Sequence, residues 1–125
     1  MEIEDQRQMV ETSAQTVRDK MNSGRNESDR WKMTLWTNDR SLLPRTEEWA
    51  KGLGMQMREI NELPIFEEYR DVFDRMLADN VVMASDLGRF LILHDMGGLY
   101  LDFDQVLYEW DERLNSFEFL SYTTD

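Results

Sequence analysis

The feature that most constrains this chain is a Gly-Gly pair between an apolar helical segment and an apolar run that ends in two aspartates. Gly97-Gly98 follows a segment with apolar residues on more than one face, as expected of a helix buried against a sheet. The next residues, LYLDFD at 99–104, predict a short strand. Because side chains alternate along a strand, Asp102 and Asp104 are expected to point to the same side, with Tyr100 behind them. The pattern predicts an α/β protein with paired carboxylates at a strand end.

Paired carboxylates of this kind are ligands for a hard divalent cation. Mg²⁺ and Mn²⁺ prefer carboxylate and phosphate oxygens, and they usually take one or two protein carboxylates together with water and substrate phosphates. We therefore expect Asp102 and Asp104 to hold Mn²⁺ or Mg²⁺ and the natural ligand to be a metal-bound diphosphate. An Asp-x-Asp alone is a weak signal in a chain with 26 acidic residues, so the surrounding pattern has to support it.

The surrounding pattern supplies that support. The run ASDLGRFLILHDMGGLYLDFDQV at residues 84–106 resembles the sugar-nucleotide-binding segment of the DXD glycosyltransferases. These include the clostridial glucosylating toxins, the fungal initiating mannosyltransferases and the animal α-1,4-galactosyltransferases. They share a Ser-Asp, an Arg three residues later, an apolar helix, Gly-Gly, an apolar-Tyr-apolar strand and Asp-x-Asp. All these parts occur here in the same order and at the same spacing.

The resemblance implies a role for each residue. Asp86 would accept hydrogen bonds from sugar or ribose hydroxyls, and Arg89 would reach the sugar and the diphosphate. Tyr100 would line the nucleotide pocket, while Asp102 and Asp104 would face the metal ion. The residues also allow simpler roles, with Asp86 as a helix cap and Arg89 as its partner three residues along the helix.

The resemblance further implies a fold and a reaction. The fold would be a Rossmann-like nucleotide-sugar-binding layer of the GT-A type, partial or minimal, because the similar domains are longer and begin with a strand. The reaction would transfer a hexosyl group from a UDP or GDP sugar to a hydroxyl of a protein or glycan acceptor. The sugar, the nucleotide, the acceptor and the stereochemical outcome stay open.

The remaining pattern predicts helices that alternate with strands, which favours a parallel sheet covered by helices. We expect one α/β domain over residues 1–125, with residues 31–125 as its glycosyltransferase-like part. Trp36 is interpreted as a core aromatic rather than a base-stacking residue. We expect helices at residues 1–23, 44–53, 63–79 and 84–96. We expect strands at residues 31–36, 55–60, 99–104 and 117–120, with an acidic turn or short helix at 106–114.

Composition excludes several classes of function. A net charge of −12 disfavours nucleic acid and anionic membranes as partners. The absence of cysteine excludes disulfides and zinc-thiolate sites, and the one histidine, His94, cannot form a His-rich metal site. The chain shows neither a signal peptide nor an apolar run of membrane length, so we expect a soluble protein, either cytoplasmic or a delivered effector.

Two alternatives to a glycosyltransferase remain open. The residues from Asp102 to Leu107 resemble the first motif of haloacid-dehalogenase-type phosphatases, although no lysine follows Asp104 as those enzymes require. The other alternative is a catalytically silent or truncated binding module. In such a module the amphipathic N-terminal helix would mediate self-association or contact with a host partner.

Overall fold

The computed structural model describes residues 3–116, with side chains from Gln6 onward, and the strand expected at residues 117–120 lies outside the described residues. The described part is a mixed helix and strand structure. Its helices are α1 (Ile3–Thr16), α2 (Pro44–Gly52), α3 (Phe66–Asp79) and α4 (Val81–Met96). Its strands are β1 (Thr34–Thr37) and β2 (Gln56–Glu59). The predicted helices and the first two predicted strands are therefore confirmed, with boundaries that shift by a few residues.

The two strands form a parallel pair, with Leu35 opposite Met57. A parallel pair needs a crossover connection, and here α2 supplies it. Pro44 opens α2 at its first turn, where the missing N–H costs nothing. Gly54, with φ of 79°, reverses the chain between α2 and β2 in a conformation that favours glycine. The parallel arrangement confirms the α/β prediction in its coarse form.

Helices cover both faces of this small sheet. Leu35 and Met57 pack with Val10 of α1 and Ala50 of α2 in one buried cluster. Trp36, whose side chain leaves β1 on the opposite face, packs against a second cluster built mainly from α3 and α4. The second cluster contains Ile60, Leu63, Phe66, Phe73, Ala84, Leu91 and Ile92. The sheet therefore lies between α1 with α2 and α3 with α4, and Trp36 is part of the core as expected.

Helix α4 begins earlier than the pattern predicts. The sequence predicts that Asn80 breaks the preceding helix. In the structure Asn80 also caps α4, because its Oδ1 accepts hydrogen bonds from the N–H groups of Val82 and Met83. At the other end, the Gly-Gly pair indicates a left-handed cap: Gly97 and Gly98 have positive φ values of 65° and 88°, although the ψ of Gly97, −158°, lies outside the left-handed helical region. The Asp95 carboxylate accepts a hydrogen bond from the Ile65 N–H at 2.9 Å, which ties the end of α4 to the start of α3.

The strand predicted at residues 99–104 is wrong. These residues form no strand, and within residues 3–116 no strand pairs with them. Asp102 instead begins a turn: its N–H donates to the Gln105 side chain at 2.8 Å, and its carbonyl accepts from the Gln105 N–H at 3.1 Å. Because a strand exists only through bonds to a neighbour, an alternating run without one folds locally. The alternation argument that placed Asp102 and Asp104 on one side therefore fails.

The chain that follows the turn is attached to the N-terminal helical segment. Ser13 of α1 is 1% exposed, and its hydroxyl accepts a hydrogen bond from the Leu107 N–H at 2.9 Å. Lys20, in the π-helical turn Val17–Met21 that continues α1, donates to the Tyr108 carbonyl at 3.1 Å. The predicted turn or short helix at 106–114 is a 3₁₀ helix at Glu112–Ser116. Leu107 and Tyr108 are thus attached to the N-terminal helical segment, although the two segments are far apart in sequence.

Candidate functional site

Helix α4 carries the first two predicted site residues. Asp86 and Arg89 are three residues apart and share one side of the helix. The Arg89 Nη2 atom lies 3.6 Å from the Asp86 carboxylate and 3.0 Å from the Asp102 carboxylate. The Arg89 guanidinium also lies over the Tyr100 ring, 4.9 Å from its centroid. The structure therefore brings together Asp86, Arg89, Tyr100 and Asp102, with Arg89 at the centre.

The fifth predicted residue is not part of this group of contacts. Asp104 is exposed, and among residues 3–116 its carboxylate makes no hydrogen bond or ion pair. Its position follows from the turn at Asp102, whose exposed tip contains Phe103 and Asp104. The turn leaves the Asp104 carboxylate open to a ligand from solvent.

A cavity of about 410 Å³ lies beside the Arg89 group. Thr37 and Asn38, at the carboxyl end of β1, form part of its wall. Ser85 and Arg89 of α4 line another part, and Tyr100 continues that wall. Ligands of parallel sheets bind beyond the carboxyl ends of the strands, which is where this cavity opens. Its volume is in the range of small-molecule binding sites.

The charge of the cavity wall is opposite to that of the chain. Arg7 and Arg89 line it, whereas no Asp or Glu of the described residues does so. Five aromatic side chains also line it: Trp36, Trp49, Phe73, Tyr100 and Phe103. In a protein with a net charge of −12, two arginines without a lining carboxylate make the cavity locally suited to an anionic ligand with a flat ring.

The carboxylates stand next to this cavity rather than in its wall. Asp86, Asp102 and Asp104 are not lining residues, but Tyr100 and Phe103 line it and flank Asp102 in sequence. The Arg89 side chain reaches both places, since it lines the cavity and contacts Asp102. A ligand that fills the cavity can therefore present an anionic group to Arg89, next to the Asp102 turn.

The donor atoms fit a hard cation only in part. Residues 3–116 contain no group of three or more His, Cys, Asp and Glu side chains that could hold a metal ion. Mg²⁺ and Mn²⁺ at nucleotide sites usually take one or two protein carboxylates and complete their coordination with phosphates and water, and Asp102 and Asp104 are the two carboxylates of the motif. The buried Nε atom of Arg89 has no hydrogen-bond partner among the described residues, and a phosphate oxygen is a suitable acceptor for it.

Sequence reasoning missed the contribution of the N-terminal helix to this site. Gln6 and Arg7 of α1 line the cavity together with Trp49 of α2. The amphipathic pattern of α1 predicts a cover for one sheet face and does not single out Arg7. Asn38 had a local signal, because a polar residue directly follows the apolar strand. Within residues 3–116, no helix combines the length and the apolar character needed to cross a bilayer.

The parallel strand pair, the helices on both faces and the cavity at a strand end define an α/β domain of the ligand-binding kind. Residues 4–118 match the family model described as the glycosyltransferase sugar-binding region containing DXD motif. The chain belongs to this family, which confirms the resemblance carried by residues 84–106 and favours it over the phosphatase alternative. No curated protein and no solved structure matches the chain.

Proposed function

We propose that this chain is the nucleotide-sugar-binding domain of a metal-dependent glycosyltransferase, which transfers a hexosyl group from a UDP or GDP sugar to a hydroxyl of a protein or glycan. The observation that carries the proposal is Arg89, which lines the cavity and contacts Asp102 of the DXD motif. The proposal includes a GT-A-type layer in partial or minimal form, with residues 1–125 acting as one unit.

In the proposed complex each part of the donor would contact a different group of residues. The flat base would lie against Tyr100, which the resemblance assigns to the nucleotide pocket, since base–aromatic stacking is favourable for any base. The diphosphate would meet the Arg89 guanidinium, whose planar fork suits phosphate oxygens. The sugar hydroxyls would donate to the exposed Asp86 carboxylate, one turn of α4 away from Arg89.

Asp102 and Asp104 would hold Mn²⁺ or Mg²⁺, which supplies Lewis-acid stabilisation of the departing diphosphate. The positive charge of Arg89 would also stabilise the negative charge on the departing diphosphate. In the proposed reaction the bond from the anomeric carbon to the β-phosphate oxygen breaks, and its electron pair stays on that oxygen. A bond forms from the acceptor oxygen to the anomeric carbon, and the acceptor proton passes to a base. The charge that develops on the phosphate lies where the Arg89 guanidinium can stabilise it.

The test is a calorimetric titration of the chain with UDP-glucose, UDP-galactose and GDP-mannose, with and without MnCl₂. We expect Mn²⁺-dependent heat with at least one of these donors. Asp102→Asn and Asp104→Asn should each remove that heat and any hydrolysis or transfer, because a neutral amide oxygen binds a divalent cation more weakly than a charged carboxylate.

The matched control is Asp74→Asn, the same change at an exposed position on α3. Its heat should equal that of the unmodified chain. All three variants should melt within a few degrees of the unmodified chain, since exposed substitutions cost about 0.5 kcal/mol or less. Absence of Mn²⁺-dependent heat with every donor, or full activity in both motif variants, would reject the proposal.

One observation favours a binding module without turnover as the second candidate. In the described residues the DXD segment is a turn with an exposed Asp104 rather than a strand end. Donor binding that is intact, with no hydrolysis or transfer to water or added acceptors, would identify the chain as such a module. Light scattering would then show whether α1 mediates self-association.

A further inference from the structure

We propose that Arg7 of the N-terminal helix is a second binding residue for the anionic donor, acting from the wall of the cavity that α1 contributes. The inference rests on the proposed function, because it names a residue for the same ligand. It assigns α1 a part in ligand binding, beyond covering a sheet face.

Neighbouring residues define the position of Arg7. Its guanidinium lies over the Trp49 ring, 5.4 Å from the centroid. The Trp49 indole N–H donates to the Glu11 carboxylate at 2.9 Å, and Glu11 is one turn after Arg7 on the same helix. The ring is therefore oriented by α1, and it offers Arg7 a flat surface. A guanidinium stacked in this way loses less conformational freedom when it binds a ligand than one extended into solvent.

In the proposed complex the metal ion and Arg89 do not neutralise all the negative charges. A nucleoside diphosphate sugar carries a negative charge on each phosphate, and Asp86, Asp102 and Asp104 add three more nearby. A divalent cation and Arg89 offset three of these five charges. Arg7 is the other arginine of the cavity wall, and no lysine of the described residues lines it. The chain has a net charge of −12, and within the cavity wall Arg7 is the remaining positive side chain that can offset the negative charge left by the metal ion and Arg89.

The contribution of Arg7 is independent of the metal ligands. Arg7 lies on α1, which is far in sequence from the DXD turn, and it makes no ion pair with another described side chain. Its substitution therefore leaves Asp102, Asp104 and the contacts of Arg89 in place. Because Arg7 is exposed and its side-chain contact is the stack on the partly buried Trp49 ring, the variant is expected to fold.

The test compares Arg7→Gln with Arg18→Gln by calorimetry, with the nucleotide sugar that binds the unmodified chain in MnCl₂. Arg18 is the matched control, since its loss changes the net charge equally. It lies in the turn that continues α1, pairs with Asp19 at 2.9 Å and is not a lining residue. We expect Arg7→Gln to weaken binding about tenfold, as loss of one charge-assisted contact does, and Arg18→Gln to leave it within about twofold.

The outcomes separate the inference from the function on which it rests. If the unmodified chain binds no nucleotide sugar, the proposed function fails. If it binds and Arg7→Gln binds equally well, the role of Arg7 is rejected while the function stands. An equal loss in both variants would also reject it, because the effect would then follow net charge rather than a contact in the cavity.

Discussion

The Arg89 guanidinium on α4 lies 3.0 Å from the Asp102 carboxylate and over the ring of Tyr100. One side chain thereby connects the helix before the Gly-Gly pair with the segment after it, and it also lines the cavity. Among the residues that the resemblance assigns to the sugar and the diphosphate, Arg89 is the one that contacts three of the others.

Replacing Arg89 with lysine tests whether the planar fork itself is required. Arg89→Lys keeps the charge but loses the stack on Tyr100 and the two-pronged geometry, so nucleotide-sugar affinity should fall about tenfold. The free energy of unfolding should change by about 1 kcal/mol or less, because the ion pair with Asp102 is partly exposed. Calorimetry and thermal unfolding measure the two quantities. Arg75→Lys on α3 is the control, and an unchanged affinity for Arg89→Lys would contradict the assignment.

Ser13→Ala tests the attachment of the segment after the DXD turn. The change leaves the Leu107 N–H without its acceptor in a buried position, which costs about 1–3 kcal/mol of stability. Denaturant unfolding should show this loss, and the Leu107 amide should exchange its hydrogen faster. The exposed Ser23→Ala should change neither quantity. Protection of Leu107 that survives in Ser13→Ala would show that the hydroxyl does not hold this segment.

Gly97→Ala tests the backbone at the end of α4. Gly97 has φ of 65° and ψ of −158°, a region that side chains with a Cβ rarely enter. We expect a loss of about 1–3 kcal/mol in the free energy of unfolding, although no atom would clash with the new Cβ. Gly52→Ala, at a position without positive φ and with open space, should be neutral or stabilising by up to ~1 kcal/mol. Equal free energies of unfolding for the two variants would mean that the positive φ at position 97 does not require a glycine.

Asp95 gives the fold a defined dependence on pH. The hydrogen bond from the Ile65 N–H, helped by the neighbouring His94, holds the pKa of the Asp95 carboxyl below its ordinary value. A carboxyl whose pKa is lowered by folding stabilises the protein above its unfolded pKa of about 3.9, and this contribution is lost as the pH falls through the lower folded pKa. Asp95→Asn should therefore be less stable than the unmodified chain at pH 7.

The difference between Asp95→Asn and the unmodified chain should shrink as the pH falls below about 4, since protonation then removes the same contribution from the unmodified chain. Urea unfolding at a series of pH values measures this difference. Asp74→Asn, at an exposed position on α3, is the control and should show no comparable pH-dependent difference. A stability difference for Asp95→Asn that is constant from pH 7 to pH 2 would contradict the role of this carboxylate.

The helices were predictable because their signals are local. Pro44 opens α2, Asn80 lies between α3 and α4, and the Gly-Gly pair ends α4. Each of these signals acts on residues within one helical turn of its own position. The position of Arg89 relative to Asp86 was predictable for the same reason, since residues three apart on a helix lie on one side. The DXD strand was not predictable from its alternation, because its existence depends on a partner strand elsewhere in the chain.

The sequence by itself determined the helical framework and the family to which residues 84–106 point, and the alternation of helices with strands favoured a parallel sheet. The helices follow from spacing, capping and turn residues, whose effects reach only a few positions along the chain. The tertiary structure alone decided that Asp102 lies in a turn, that Arg89 contacts it, and that Arg7 lines the cavity of Arg89. The physical reason is that a cavity and its charge depend on which distant segments pack together, and α1, β1 and α4 meet there only through packing across the sheet.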